Sequence, residues 1–479
     1  MNFALISLLT PLAMALFLLV SRSRSGWWVM ASSLISLLAA LAALQSVITS
    51  GDQWLNLGGW AAPLGIRLHL MPVSALLLVF TSLIHLLVSV YAERSRHSQT
   101  KRTDFWPLSC LLHASLAALW LSNDLFNWYI TLELLGLVAV AMVTISGRKA
   151  YGPALRYLLL SLVASLFYLL GVVLLYGHYG VLDLTLLAEL THADASRNDP
   201  TTRLALVLMT LGLMLKAAFW PLHLWLPPAH ASAPTAVSAL LSALVVKGPL
   251  FILWLLWSQV APPELGREAG PIIAIAGVLA LIFGGWSALR APHIKTLVAY
   301  STVAQLGYAM MALGLLLHWQ KSELHVALWL FVLAHGLAKV SMFLAAGEMQ
   351  ATLGSKSVGA LKGATQTMPI AMFAFAIAGG SLIGLPPSGG FLAKWLLLRP
   401  LLLEPAHWPW AAGVLIGTLV SAAYVFRVVA LSFDRANPTR PDYDPDPFSQ
   451  WLALLPALLV WGMALISDSL ILWLTGVTL

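Results

Sequence analysis

The chain has 479 residues, of which 60% are hydrophobic and only 9% charged, and its mean hydropathy is +0.86. Soluble domains carry about a quarter charged residues, so this balance excludes a soluble protein and implies one polytopic membrane domain. The formal net charge of +7 is no nucleic-acid footprint, because the basic residues sit in short loops between apolar runs.

A helix needs about 20 apolar residues to cross the hydrocarbon. Fourteen such segments are expected, at roughly 3–20, 27–48, 70–92, 106–121, 123–145, 155–177, 203–226, 235–258, 270–289, 297–317, 325–347, 367–398, 409–431 and 449–475. Met1–Val20 lacks a basic leader and a small-residue cleavage site, so it reads as a retained first helix. The fourth and fifth segments are parted only by Ser122-Asn123-Asp124, a tight hairpin. The 20 tryptophans suit interfacial belts, several of them packing between helices.

Lysine and arginine counts set the orientation. With the N-terminus outside, the inner loops hold Arg22, Arg24, Arg94, Arg96, Lys101, Arg102, Arg148, Lys149, Arg156, Arg290, Lys295, Lys356, Lys362, Arg427, Arg435 and Arg440. The outer loops hold Arg67, Arg197, Arg203, Arg267, Lys321 and Arg399, which is 16 against 6. Cytoplasmic loops carry the positive excess, so both termini are expected on the periplasmic or exterior face of a bacterial inner membrane.

Two segments break the helical pattern. The seventh carries Lys216-Ala-Ala-Phe-Trp220-Pro221-Leu-His223-Leu-Trp-Leu-Pro227-Pro228, and the twelfth Gly384-Leu-Pro386-Pro387-Ser-Gly389-Gly390-Phe-Leu-Ala-Lys394. Proline and glycine free backbone groups that lipid cannot satisfy, so such stretches must line protein or water. The two breaks lie five segments apart, and an odd repeat is inverted in the membrane. The expected fold is therefore all-α, about 14 transmembrane helices with two inverted five-helix repeats. They would be a first half-channel over 105–258 and a second over 270–431, flanked by 1–92 and 449–475.

Ionisable residues mark the same segments. Glu133, Lys216, Lys247, His335, Lys339 and Lys394 lie deep in apolar runs. A charge at mid-bilayer costs roughly 2.5–3.5 kcal/mol, so four lipid-facing lysines would cost on the order of 10–14 kcal/mol, a whole domain's stability. They must face protein or water. Desolvation makes a lysine shed its proton more readily and a nearby carboxylate holds it on, with each pKa unit about 1.4 kcal/mol. A lysine beside Glu133 can thus take and release a proton as the carboxylate moves. His335 and Lys339, four apart, share a helical face. His223 and His230 flank the Pro227-Pro228 turn as candidate relays. Arg427 reads as a snorkelling residue near a helix end, and Asp124 and Asp468 as ordinary helix-end carboxylates. With Cys110 the lone cysteine, a disulfide within the chain and a thiolate metal site are excluded. No metal, redox cofactor or nucleic-acid partner is expected.

The stretch Leu215-Lys216-Ala-Ala-Phe-Trp-Pro221-Leu-His223-Leu-Trp-Leu-Pro227, followed by Pro234-Thr-Ala-Val-Ser238 and Lys247, resembles the most characteristic part of the antiporter-like subunits. These are the proton-pumping membrane subunits of respiratory complex I, membrane arms of related hydrogenases, and Mrp-type cation/proton antiporters. Leu132-Glu133-Leu, Ile294-Lys295-Thr-Leu-Val-Ala-Tyr300-Ser301-Thr-Val-Ala-Gln305-Leu-Gly307, His335-Gly-Leu-Ala-Lys339 and the Gly384–Lys394 stretch extend the resemblance over roughly residues 70–430. It implies that Glu133 and Lys216 form a coupled pair, that Lys247 is the central relay and that Lys394 gates the other half. It also implies an obligate complex with other membrane subunits; because the sequence ends soon after the fourteenth segment, the long lateral arm of the largest complex I pump subunit is not expected. The implied activity is proton translocation in a respiratory or hydrogenase-like complex such as an NADH:quinone oxidoreductase, the chain being a non-catalytic subunit. The alternatives are a Mrp-type sodium/proton antiporter subunit, the proton-channel subunit of an inorganic-carbon uptake complex, or a scaffold whose buried charges are remnants. With Glu133 the one carboxylate at membrane depth, protons are favoured over sodium.

Overall fold

In the computed structural model, residues 1–23, 25–95, 104–193, 199–434 and 441–475 are described. The counted basic residues Arg24, Arg96, Lys101, Arg102, Arg197, Arg435 and Arg440 lie outside them.

The chain is almost wholly helical. It begins with α1 (Asn2–Ser21), α2 (Trp27–Ser50) and α3 (Pro72–Arg94), with a short hairpin of β1 (Gln53–Asn56) and β2 (Arg67–Leu70) between the last two. Next come α4 (Phe105–Leu121), α5 (Leu125–Thr144), α6 (Arg148–Tyr179) and the short α7 (Leu184–Ala193). The first interrupted segment comprises α8 (Pro200–Lys216) and α9 (Leu226–Ser232); its successor runs from α10 (Thr235–Leu240) through a π-helical turn to α11 (Lys247–Leu255). Then follow α12 (Pro263–Arg290), α13 (Ile294–Trp319), α14 (Ser322–Leu353) and the single turn α15 (Ala364–Thr367). The second interrupted segment is α16 (Pro369–Ile383) with α17 (Gly389–Leu402), and α18 (Trp408–Phe433), α19 (Pro447–Gly462) and α20 (Ser467–Thr475) complete the chain.

Eleven helices among the described residues are long and apolar enough to cross a bilayer. The remaining expected segments are the shorter α4, at 17 residues, and the two interrupted ones. The packing order recurs in both halves: α4 on α5, α5 on α6 and α6 on α8 in the first, then α12 on α13, α13 on α14 and α14 on α16 and α17 in the second. Two spans, 235–260 and 322–353, are enclosed by protein along their whole apolar length. They form the axis of the bundle, and Lys247, His335 and Lys339 lie on them. The ionisable residues are therefore in protein, as the cost of facing lipid requires.

Local chemistry explains the ends. Asp124 caps α5 by accepting from the Asn127 amide at 2.7 Å, and Asp199 caps α8 through Thr202 at 2.7 Å. Pro227 and Pro228, expected as a turn, instead open α9, where their missing amides cost nothing. The break is the stretch before them. Arg427 does not snorkel: its guanidinium donates to the carbonyls of Leu289 and Ala291, the latter at 3.1 Å, and so ties α18 to the C-terminus of α12.

Glycines bring α12 and α13 backbone to backbone. Gly270, Gly277 and Gly284, seven apart, face Gly314, Gly307 and Ala304. A methyl on Gly277 would fall 2.6 Å from the Gly307 carbonyl oxygen, a distance that backbone cannot relieve. Gly277→Leu is expected to lower the thermal unfolding temperature of the purified chain, by about 1–3 kcal/mol of overpacking. An unshifted melt would show that the helices are not held this closely.

Candidate proton-path residues

The first cluster forms where α8 stops. Lys216 is its last residue, where cations complement the helix dipole. Its Nζ donates to Glu133 Oε1 at 2.9 Å and to Ser161 Oγ at 3.1 Å. Ser165, one turn on from Ser161 in α6, donates to the same Glu133 oxygen. Lys216 is buried whereas the Glu133 side chain keeps 20% exposure, so the carboxylate has room to move and the ammonium does not. Where α8 ends, the Leu215 carbonyl accepts both the Ala218 amide at 3.2 Å and Trp225 Nε1 at 2.8 Å, and the Trp225 ring stacks on Tyr157 with centroids 3.9 Å apart. Between Lys216 and the Val245–Pro249 turn lies a cavity of about 10 Å³, lined also by Gly136 and Tyr157. That is room for about one water.

Lys247 owes its setting to a defect in its own helix. The π-helical turn Leu241–Val245 shifts the hydrogen-bond register, and the Lys247 ammonium bends back to donate to the Ser242 carbonyl. Pro249 supplies no amide to Val245, which loosens the same turn. Ser242 Oγ meets Thr302 Oγ1 of α13 at 2.9 Å. Lys339, one helix over, donates to the Val298 carbonyl at 3.0 Å and to Ser301 Oγ.

His335 is buried, its two ring nitrogens have no hydrogen-bond partner among the described residues, and it feels the charges of Lys247 and Lys339. His230 is likewise buried and without a partner among the described residues, within the fields of Lys339, Lys295 and Lys247. Unsatisfied ring nitrogens at such depth are costly and rare outside sites that handle protons or water. His223 is not brought into this group. It is half-buried, its ring 6.2 Å from Tyr300.

Lys394 folds back across the second break. Its Nζ donates to the last carbonyls of α16, Leu382 at 2.7 Å and Ile383 at 3.1 Å, and lies 4.1 Å from the Tyr308 ring centroid. Thr418 Oγ1 is 3.5 Å away. A string of polar atoms runs from this site toward Lys339. Ser301, which takes the Lys339 ammonium, neighbours Tyr424, and Gln305 Nε2 lies 3.1 Å from the Tyr424 hydroxyl, 2.9 Å from Ser421 Oγ and 3.3 Å from the Leu382 carbonyl. An amide donor fixes geometry but passes no proton, so Gln305 positions the string and hydroxyls or water must carry the charge.

Sequence reasoning missed three things here. Lys295 was counted with the loops, yet it is 6% exposed, with its ammonium on the Ala233 carbonyl at 3.1 Å. It lines a cleft of about 640 Å³ together with Lys149, Lys356, Tyr91, Thr235 and Gly347. Ser301 and Gln305 stood in a quoted motif without a role, and their spacing with Tyr308 at i, i+4 and i+7 on an apolar helix was the available signal. Tyr424 had none, being one tyrosine in an ordinary span.

Residues 122–421 match the family described as NADH:quinone oxidoreductase/Mrp antiporter, transmembrane. The chain belongs to this family. NADH-quinone oxidoreductase subunit N of Desulforudis audaxviator is 33% identical over 91% of this chain and 86% of its own length. A Na(+)/H(+) antiporter subunit of Bacillus subtilis is 29% identical over 82% of this chain and 79% of its own. Among solved structures, that of the Mrp complex from Dietzia sp. contains a chain with a TM-score of 0.89 at 22% identity, covering 98% of this chain and 95% of that one, which shows the shared fold.

Gln305→Leu removes the Nε2 contacts with Tyr424, Ser421 and Leu382 together. It is expected to cost about 1–3 kcal/mol of stability, through the Tyr424 and Ser421 hydroxyls that lose their donor, while the Leu382 carbonyl keeps Lys394. Thermal unfolding beside the unaltered chain checks this, and an equal melting temperature would mean the string is not built as described.

Proposed function

We propose that the chain is the proton-translocating membrane subunit of a multisubunit respiratory or hydrogenase-like complex, with protons moving along the row from Glu133 to Lys394. The observation that carries this reading is the row itself: four lysines held inside protein by carbonyls, hydroxyls and the Glu133 carboxylate, three of them at two helix breaks and a π turn, with His335 buried in the fields of two of them. Glu133 and Lys216 act as the coupled pair, in which displacement of the carboxylate frees the Lys216 proton. Lys247, His335 and Lys339 relay it through a field each shares with its neighbours, and Lys394 holds the far end. His230 and His223 are candidate relays, His230 with the better support from its burial and unpaired nitrogens. The two halves, 105–258 and 270–431, would be inverted repeats that each contribute one break.

Access fits the charge pattern. The cleft containing Lys149, Lys295 and Lys356 is bounded by the ends of α3, α5, α9, α13 and α14, which the positive-inside rule puts in the cytoplasm. It reaches Lys295, and His230 lies between the fields of Lys295 and Lys339. At the opposite end, a cleft of about 340 Å³ is lined by His192, His325 and Trp254, with His325 stacked on Trp254 at 5.3 Å. Both termini would then face the periplasm or exterior. A Mrp-type sodium/proton antiporter subunit is the second reading, favoured by the antiporter relative's comparable identity and coverage.

In inverted membrane vesicles that carry the chain in its native complex, Lys216→Ala, Glu133→Ala and Lys394→Ala are each expected to cut coupled proton flux at least tenfold without loss of assembled complex. Flux that survives all three with normal assembly would return the charges to a structural role. The same vesicles separate the two readings, since sodium-dependent flux supports the antiporter and sodium-independent, redox-linked flux the pump.

A further inference from the structure

Two buried carboxylates lie apart from the row. Glu348, on α14, is 1% exposed; its Oε1 accepts from Tyr91 Oη at 2.6 Å and from Ser95 Oγ at 3.2 Å. Its Oε2 is buried and has no hydrogen-bond partner among the described residues. Asp446, buried just before α19, accepts from Ser449 Oγ at 2.7 Å, and its charge acts on both Glu348 and Tyr91. The other deeply placed acids have cations beside them, Asp183 with Arg67 at 2.5 Å and Glu133 with Lys216 at 2.9 Å. Neither Glu348 nor Asp446 has one among the described residues.

A third oxygen joins them. Thr352, one turn beyond Glu348 on the same face, is fully buried, and its hydroxyl is also unpartnered among the described residues. Its carbonyl accepts the amides of Asp442 at 2.8 Å and Tyr443 at 3.2 Å, which turns this end of α14 toward the strand of chain leading to Asp446. Glu348 Oε2 and the Thr352 hydroxyl both lack a hydrogen-bond partner among the described residues, so oxygens are left to spare beside two carboxylates. A small hard cation would take them, since it accepts carboxylate, hydroxyl and carbonyl oxygens without directional demands. Three hydroxyl donors already spread part of the negative charge, which leaves a deficit suited to a single positive charge.

We infer that Glu348, Asp446 and Thr352 form a binding site for a monovalent alkali cation where α14 meets α3 and α19. Its occupant ties α14 to both helices, nine residues and about 13 Å along the helix from Lys339. The site stands whether or not the row carries protons.

The test is thermal unfolding of the full chain in lipid nanodiscs, in sodium, potassium, calcium or choline chloride at one ionic strength and pH. Sodium or potassium is expected to raise the melting temperature saturably over choline, by roughly 1–3 °C. Glu348→Gln and Asp446→Asn should each abolish that rise, while Glu404→Gln, at an exposed position, keeps it. Equal melting in choline, a response to calcium alone, or a sodium shift that persists in Glu348→Gln overturns the assignment. The unaltered chain alone decides the first two, so the outcome does not depend on the variants folding.

Discussion

A buried ammonium must be given oxygens, and that requirement shapes this bundle more than any other. Regular helices spend their carbonyls internally, so they have little to offer a lysine. The fold breaks or distorts a helix beside three of the four cations, and two of these, Lys247 and Lys394, take carbonyls there. Lys216 ends a helix, Lys247 turns onto a carbonyl of a π-helical turn, and Lys394 reaches back to the last carbonyls of α16. Lys339 uses a carbonyl and a serine of the neighbouring α13. Proline and glycine at the breaks are thus the means by which charge is solvated where water is scarce.

The acceptors are not equivalent, and the difference gives the row a direction of control. Among the described residues of the row, Lys216 alone has a full negative charge opposite it, and that charge is partly exposed and held by one serine as well as the lysine. Lys247, Lys339 and Lys394 meet only dipoles, and Lys339 lies in the field of Lys247. His335 lies in the fields of Lys247 and Lys339, with no hydrogen bond among the described residues to fix its tautomer. In the proposed mechanism, movement at Glu133 would change the charge state of Lys216, and the change would pass along groups that are coupled by field and set apart by distance.

Much of this was legible in the sequence because the physics acts on composition. An apolar run with one lysine, or a helix pattern broken by Gly-Leu-Pro-Pro, cannot be explained by lipid contact, so Glu133, Lys216, Lys247, His335, Lys339 and Lys394 stood out. Asp124, read as an ordinary helix-end carboxylate, does stand at a helix end, where it caps α5. What stayed hidden depends on packing. Lys295 looked like a loop charge because burial at a helix start leaves no trace in hydropathy. Glu348 and Asp446 were invisible as a pair because nearly a hundred residues separate them. Arg427 looked interfacial because nothing local reveals that the end of α12 lies beside it. The Pro227-Pro228 pair was misread as a turn when proline serves equally well as the first turn of a helix.

The claim at the centre is that Glu133 and Lys216 work as one unit. A double-mutant cycle measures this directly: coupled proton flux in vesicles for Glu133→Gln, Lys216→Met and the double variant, with complex assembly followed in parallel. A unit predicts that the double variant is no slower than the worse single one, because either change already disables the pair. Losses that multiply across the two positions would contradict it, and would make the 2.9 Å contact a neighbourly one rather than a working one.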